Sequence, residues 1–310
     1  MSEDMARSRG GVGESASRRE AIGRAMEPEE ASQLLIREYG RMARAYDAYV
    51  APYHAPIARR LVELAGIGAN ERILDIGCGT GIAAFVATST VGSLGSVVGV
   101  DLAEEAVHLA TERATAMGLR QIHFEIADSR ALRFTAGSFD AVLSCFGHPL
   151  VGRDRCLAEV RRVLRPGGRA VLGTWNAAKP SAMPFREILE HRRPPVLAPD
   201  VDRLIQARKV LASTEEGRAA QSAAGWIAIL EDAGLSSVQV LEETHRAVFR
   251  DPDAFLDYSF AWGDNERELR TMSPASRASL REEFWERVKS MVSEDGLIVD
   301  WPLRYFLVHA

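Results

Sequence analysis

The chain changes its hydrophobic period several times, and those changes mark its elements. From Ser32 the run SQLLIREYGRMARAYDAYV sets Leu35, Tyr39, Met42 and Tyr46 on one stripe at helical spacing. Pro52 and Pro56 predict a break, after which a second helix spans 57–65 and stops at Gly66. Short apolar, β-branched runs then recur at 72–76, 97–101, 123–126, 141–145 and 169–174, the pattern of strands buried on both faces. Helical periods fall between them at 81–88, 104–117 and 153–164. Such alternation predicts an α/β fold, a mostly parallel sheet with helices on both faces.

After Thr174 the rhythm fails. Prolines crowd 176–221, which reads as an insertion, and the strand–helix pattern resumes over 222–250 with a helix at 226–233 and a strand from Ser237 to about Glu242. Asp251-Pro252 and Ser273-Pro274 each pair an N-cap residue with proline at the first helical position, so 251–299 reads as a helical segment. A last strand is expected at 304–309, within a closing stretch 300–310. Residues 1–31, rich in Ser, Gly, Arg and Glu without a sustained period, read as a disordered leader, with Met26 as an alternative start. Ordered core then covers 32–175.

Composition narrows the function classes. A net charge of −5 argues against a nucleic-acid backbone as the main partner, since phosphate recognition asks for a basic face. His191-Arg192-Arg193 is a local basic run and is expected to be a solvated charge cluster. No apolar run approaches the roughly 20 residues of a membrane span, and no apolar stretch follows the early arginines, so a cytoplasmic protein is expected. Cys78, Cys145 and Cys156 show no metal-ligand spacing, and no metal is expected. Thirty-five arginines against three lysines fit a GC-rich bacterial gene.

The sharpest motif is Ile73-Leu74-Asp75-Ile76-Gly77-Cys78-Gly79-Thr80-Gly81, ending the first predicted strand and opening a helix. Glycines there let backbone approach a ligand, and the helix start offers free N–H groups. A dinucleotide loop would need glycine at position 82, where Ile stands, and no Gly-Lys-Ser/Thr follows for a phosphate loop. Asp101 ends the second strand, 20 residues beyond Gly81, where a carboxylate can accept from both hydroxyls of a ribose.

With Asp101, Ala127-Asp128 after the third strand and RVLRPGGRAVLGTW from Arg162 to Trp175, this motif resembles the class I S-adenosylmethionine-dependent methyltransferases, in particular the ubiquinone-biosynthesis-like group. The resemblance covers roughly residues 35–175. It implies a Rossmann-like, seven-stranded fold whose two inserted segments, 176–221 and 251–299, act as lids. It implies S-adenosylmethionine as cofactor: Gly77, Cys78, Gly79 and Gly81 receiving its methionine portion, Asp75 supporting the ammonium, and Asp101 holding the ribose. Leu102 would pack on the adenine, Asp128 accept from its amino group, Cys145 and Phe146 line the methionine side, and Tyr46 cover the cofactor. Arg165-Pro166-Gly167-Gly168 would be a structural turn.

The acceptor is written less plainly. Ten of the 22 aromatic residues lie after His245, and Tyr258, Trp262 and Trp285 among them are candidates for an acceptor with an aromatic or apolar surface. His148, three residues past Cys145, is the candidate for proton handling, because imidazole titrates near neutrality. A small-molecule methyltransferase is the reading these features favour. An RNA or ribosomal methyltransferase, a protein that binds the cofactor for another reaction, and a homo-oligomer joined through the lid stay open.

Overall fold

In the computed structural model, which describes residues 25–176 and 183–310, eight strands form a single sheet in the order β3-β2-β1-β4-β5-β8-β6, with the short β7 paired to β8. β1 (Arg72–Ile76), β2 (Ser96–Asp101), β3 (Ile122–Ile126), β4 (Phe139–Cys145) and β5 (Leu164–Trp175) run parallel. β8 (Gly296–His309) returns antiparallel beside β5, and β6 (Ser236–Phe249) pairs antiparallel with it along the edge. β7 (Val292–Ser293) is a two-residue hairpin partner of β8, which makes the strand count eight where seven were expected.

Twelve described helices flank the sheet. α1 (Pro28–Tyr49) and α2 (Ala51–Leu64) precede it; α3 (Ile82–Val91), α4 (Glu104–Ala116) and α5 (Arg153–Val163) connect its parallel strands. α6 (Phe185–His191), α7 (Pro199–Ser213) and α8 (Glu215–Ala219) build the first insertion, and α9 (Ala223–Asp232) returns to the sheet. α10 (Pro252–Phe260), α11 (Gly263–Thr271) and α12 (Pro274–Val288) build the second. The expected leader lies outside the described residues up to position 24, and α1 begins at Pro28, ahead of the expected Ser32. Pro52 and Pro56 do not break the chain as expected: Pro52 sits in the first turn of α2, where a missing N–H costs nothing, and Pro56 follows inside the same helix. Asp251 caps α10 by accepting from the Ala254 N–H at 2.8 Å, and Ser273 caps α12 through the Ser276 N–H at 3.1 Å.

Alternation along the central strands feeds two cores. Ile73, Leu143 and Val171 face α2, meeting Ile57 and Leu61; Leu74, Val142 and Leu172 face the other way, against Leu157 and Val160 of α5 and Trp226 and Leu230 of α9. Both insertions fold back toward α1 through ion pairs. Arg267 grips the buried Glu38 of α1 with Nε and Nη2 at 3.0 and 2.8 Å and reaches Asp200 of α7 at 2.7 Å. Burial raises the Glu38 carboxyl, but hydrogen bonds from Arg41 and Arg267 outweigh it and hold the group below the usual carboxylate range. The His191-Arg192-Arg193 run is not a solvated cluster: Arg193 donates to the buried Glu268 at 2.6 and 3.0 Å, and Arg192 to Glu283 at 2.6 Å, tying the first insertion to the second.

Candidate functional site

The strand order reverses between β1 and β4, and loops leaving their C-terminal ends diverge to opposite sides, the usual place for a ligand crevice in an open α/β sheet. The loop after β1 begins at Gly77, whose φ is 62°; a β-carbon there would lie 2.0 Å from the Gly147 carbonyl oxygen in the loop after β4. A β-carbon on Gly147 would lie 2.3 Å from the Gly77 oxygen. The two loops therefore meet backbone on backbone. Above them opens a cavity of about 450 Å³.

One half of the cavity wall is polar and acidic. Asp75 is buried; its Oδ2 accepts the Ala84 N–H at 3.0 Å, while Oδ1 is buried with no hydrogen-bond partner among the described residues. Burial pushes this carboxyl up to about 8, so the site favours a cation that would restore its ionised form. Asp101 fastens the glycine loop to β2, its Oδ2 accepting from the Gly79 N–H and its Oδ1 from the Ala103 N–H, both at 2.8 Å. A carboxylate has about four lone-pair sites, which leaves acceptor capacity on the cavity side. Leu102, Cys78 and Gly79 line the same half. Asp128 also lines it, its Oδ1 accepting from the Arg130 N–H at 2.9 Å, and the Arg130 guanidinium spans from Asp128 to Glu29 of α1. Gly81, with φ 87°, does not reach the wall: it starts α3 against Phe85 and Phe124.

The other half is aromatic. Phe146 adopts φ 61°, an uncommon conformation for a non-glycine residue, and its ring stacks on Trp175 with centroids 4.6 Å apart. His54 of α2 stands among Tyr46, Phe146, Trp175 and Trp262, and all five line the cavity beside Cys145. The sequence gives no sign of His54 as a site residue, because the flanking Pro52 and Pro56 predict a break there. Of the three lid aromatics expected to face an acceptor, only Trp262 reaches the wall. Tyr258 is buried one layer behind, on Trp301 with centroids 5.2 Å apart. Trp285 is 38% exposed and its indole donates to Asp253 at 3.2 Å; α12 turns its neighbour Phe284 to the core, and one residue is about 100° of helix.

His148 lines the cavity, as expected of a proton-handling residue, but its surroundings oppose that task. Its Nδ1 accepts from Arg153 Nε at 3.4 Å, and its ring meets Trp226 edge-on. Burial first, and the Arg153 charge second, push it down to about 3, far below the pH at which a base works well. His54 is likewise pushed to about 3, by burial and then by His245.

Two outcomes follow from this geometry. Gly77→Ala should cost clearly more than Gly79→Ala, since both glycines have φ near +60° but only the first would press a methyl group into backbone. The left-handed conformation alone costs about 1–2 kcal/mol; urea unfolding giving equal losses for the two variants would refute the contact. The two depressed histidines bind a proton in the unfolded chain near pH 6.5 and in the folded one only near 3. Their contribution to stability is complete above pH 6.5 and declines as pH falls toward 3. His54→Gln should therefore lose less of its urea midpoint between pH 7 and 5 than the unaltered protein, and a parallel loss would count against a neutral buried His54.

Comparison with known proteins finds methyltransferases among its matches. A methyltransferase domain family matches residues 67–209. The chain is 32% identical over 193 residues to aklanonic acid methyltransferase DauC of Streptomyces sp. strain C5, covering 58% of this chain and 88% of that protein. It is 33% identical over 116 residues to the ubiquinone/menaquinone biosynthesis C-methyltransferase UbiE of Hydrogenovibrio crunogenus, 37% of this chain and 46% of that one. It spans about half the length of several curated relatives it matches. Among solved structures, the YcgJ protein of Bacillus subtilis superposes with a TM-score of 0.49 at 20% identity, over 83% of this chain and 97% of that one. With a reversing parallel sheet, a glycine loop that has no room for a β-carbon at Gly77 and a curated relative matched over most of its length, the chain belongs to the class I S-adenosylmethionine-dependent methyltransferases.

Proposed function

We propose that the protein methylates a small molecule that presents a flat, apolar or aromatic face. The observation that carries this reading is that the aromatic wall of Tyr46, His54, Phe146, Trp175 and Trp262 closes the same cavity that the glycine loop opens. S-adenosylmethionine, when bound, supplies a methyl carbon already activated by a positively charged sulfur. The protein is left to align the partners and keep water out, a task for shape more than for acid or base.

In this reading the backbone of Gly77, Cys78 and Gly79 receives the methionine portion, and Asp75 Oδ1 meets its ammonium. Asp101 turns its remaining lone pairs to the ribose hydroxyls, Leu102 lies on the adenine, and Asp128 accepts from the adenine amino group. Cys145 and Phe146 flank the methionine side, and the Tyr46 ring covers it. Trp262 and Trp175 hold the acceptor. The net charge of −5 supports a small-molecule acceptor over a nucleic acid. No described helix is long and apolar enough to cross a membrane, and the three cysteines are free; with the arginine-rich composition, these support a bacterial cytoplasmic setting.

Calorimetry should show S-adenosylhomocysteine binding and no NAD binding, and Asp101→Ala should weaken the former by about 2–3 kcal/mol, the worth of two charge-assisted hydrogen bonds. Unchanged affinity would place the ribose elsewhere. Radiolabelled methyl donor incubated with the protein and a small-molecule extract fraction should give a labelled product. Trp262→Ala should slow that labelling at limiting extract, while Trp285→Ala should leave it near normal. Labelling of bulk RNA in place of the extract would sink the small-molecule reading.

A further inference from the structure

Behind the aromatic wall runs a line of hydrogen bonds. Tyr46 Oη lies 3.1 Å from His54 Nδ1, and His54 Nε2 lies 3.3 Å from Tyr258 Oη.

Two arrangements of the hydrogens remain. In the first, His54 carries its proton on Nε2 and gives it to Tyr258, whose own hydrogen is then left without an acceptor in an interior where the residue is 8% exposed. In the second, Tyr258 donates to Nε2, His54 carries its proton on Nδ1 and donates to Tyr46 Oη, and the hydrogen seeking an acceptor is that of Tyr46. A stranded buried donor costs about 1–3 kcal/mol. Tyr46 faces the cavity, where a ligand or water can take its hydrogen, and Tyr258 does not. The second arrangement wins.

We infer that Tyr258 and His54 hold the Tyr46 hydroxyl as a hydrogen-bond donor toward the acceptor, and that the enzyme takes acceptors arriving with a deprotonated oxygen: a carboxylate, an acidic phenolate or an enolate. This rests on the aromatic wall being the acceptor's subsite. The chemistry is consistent with it. In the second arrangement His54 has no free lone pair, the His148 Nδ1 is taken by Arg153, and burial keeps Tyr46 protonated, so none of these side chains is placed to remove a proton. A deprotonated acceptor needs none removed. A lone pair of the acceptor forms the new bond to the methyl carbon as the carbon–sulfur bond breaks and its electron pair stays on sulfur. The anionic charge and the sulfonium charge disappear together. Tyr46 would touch the acceptor; His54 and Tyr258 are positioning residues.

Two measurements test this. Nitrogen-15 spectra of the histidine rings, assigned with His54→Gln, should show His54 protonated at Nδ1; protonation at Nε2 overturns the inference. In the protein saturated with S-adenosylhomocysteine at pH 7, 2-naphthoate should quench indole fluorescence at least tenfold more tightly than 2-naphthol. Tyr46→Phe should bring that ratio near one and leave S-adenosylhomocysteine affinity within twofold. A ratio near one in the unaltered protein, or one that Tyr46→Phe does not change, overturns the inference while the subsite reading stands. A tenfold loss of S-adenosylhomocysteine affinity in Tyr46→Phe would assign the donor to the cofactor's carboxylate and also overturn it. If neither naphthalene binds, the subsite reading itself fails and takes the acceptor class with it.

Discussion

The backbone of Gly77 passes so close to that of Gly147 that neither position has room for a β-carbon. β1 and β4 are adjacent and parallel, so their outgoing loops would separate unless something drew them together. This contact does, and two consequences follow. The Gly77–Gly81 loop is pressed down at its start while Asp101 draws the Gly79 N–H from the side, which leaves the loop's outer face open to a ligand. On the other strand the chain leaves β4 in a left-handed turn at Phe146, and the turn delivers that ring onto Trp175. The acidic and aromatic walls thus share one fixed floor.

The walls above the floor come from elsewhere in the chain, and charge joins them. Glu38 of α1 accepts a two-pronged contact from Arg267, which also reaches Asp200, so the N-terminal helix and both insertions meet at one guanidinium. Glu268 and Arg193 make a second such junction. Pairs of this kind contribute little net stability, since desolvation offsets most of the attraction. Their geometry is directional, however, and removing one partner strands a buried charge. They suit segments that must return to one arrangement over a cavity, where apolar packing alone would tolerate several.

This division explains what the sequence disclosed. Four of the five parallel strands were legible to within two residues because burial on both faces leaves a short β-branched run and little else; the fifth starts at Leu164, where a turn at 165–168 was expected. The glycine loop at the cavity was legible because close backbone approach demands glycine, as at Gly77. His54 was hidden. Proline normally ends helices, and two prolines around it spoke for a turn, but one fell in the first turn and the other cost at most a single hydrogen bond. The lid aromatics were legible only as a group. Phe284 and Trp285 are adjacent in sequence and opposite in fate, which depends on helix rotation against a partner surface that periodicity does not reveal. Arg193 looked like a surface charge because its partner, Glu268, lies 75 residues away.

The two halves of the cavity pull on charge in the same direction. Asp75 and Asp101 are carboxyls raised by burial, Asp75 to about 8, and such groups ionise comfortably only beside a cation. Aromatic faces such as those of Trp262 and Trp175 also attract a nearby cation, by about 0.5–2 kcal/mol each when water is excluded. On the proposed reading, Asp75 answers the ammonium, and the rings that hold the acceptor also border the sulfonium. The ammonium survives methyl transfer and the sulfonium does not. The acidic half would then grip substrate and product alike, while the aromatic half would hold only the charged, methyl-bearing form. A site arranged this way favours loading with the reactive cofactor and weakens its hold once the charge is spent, without any group having to move.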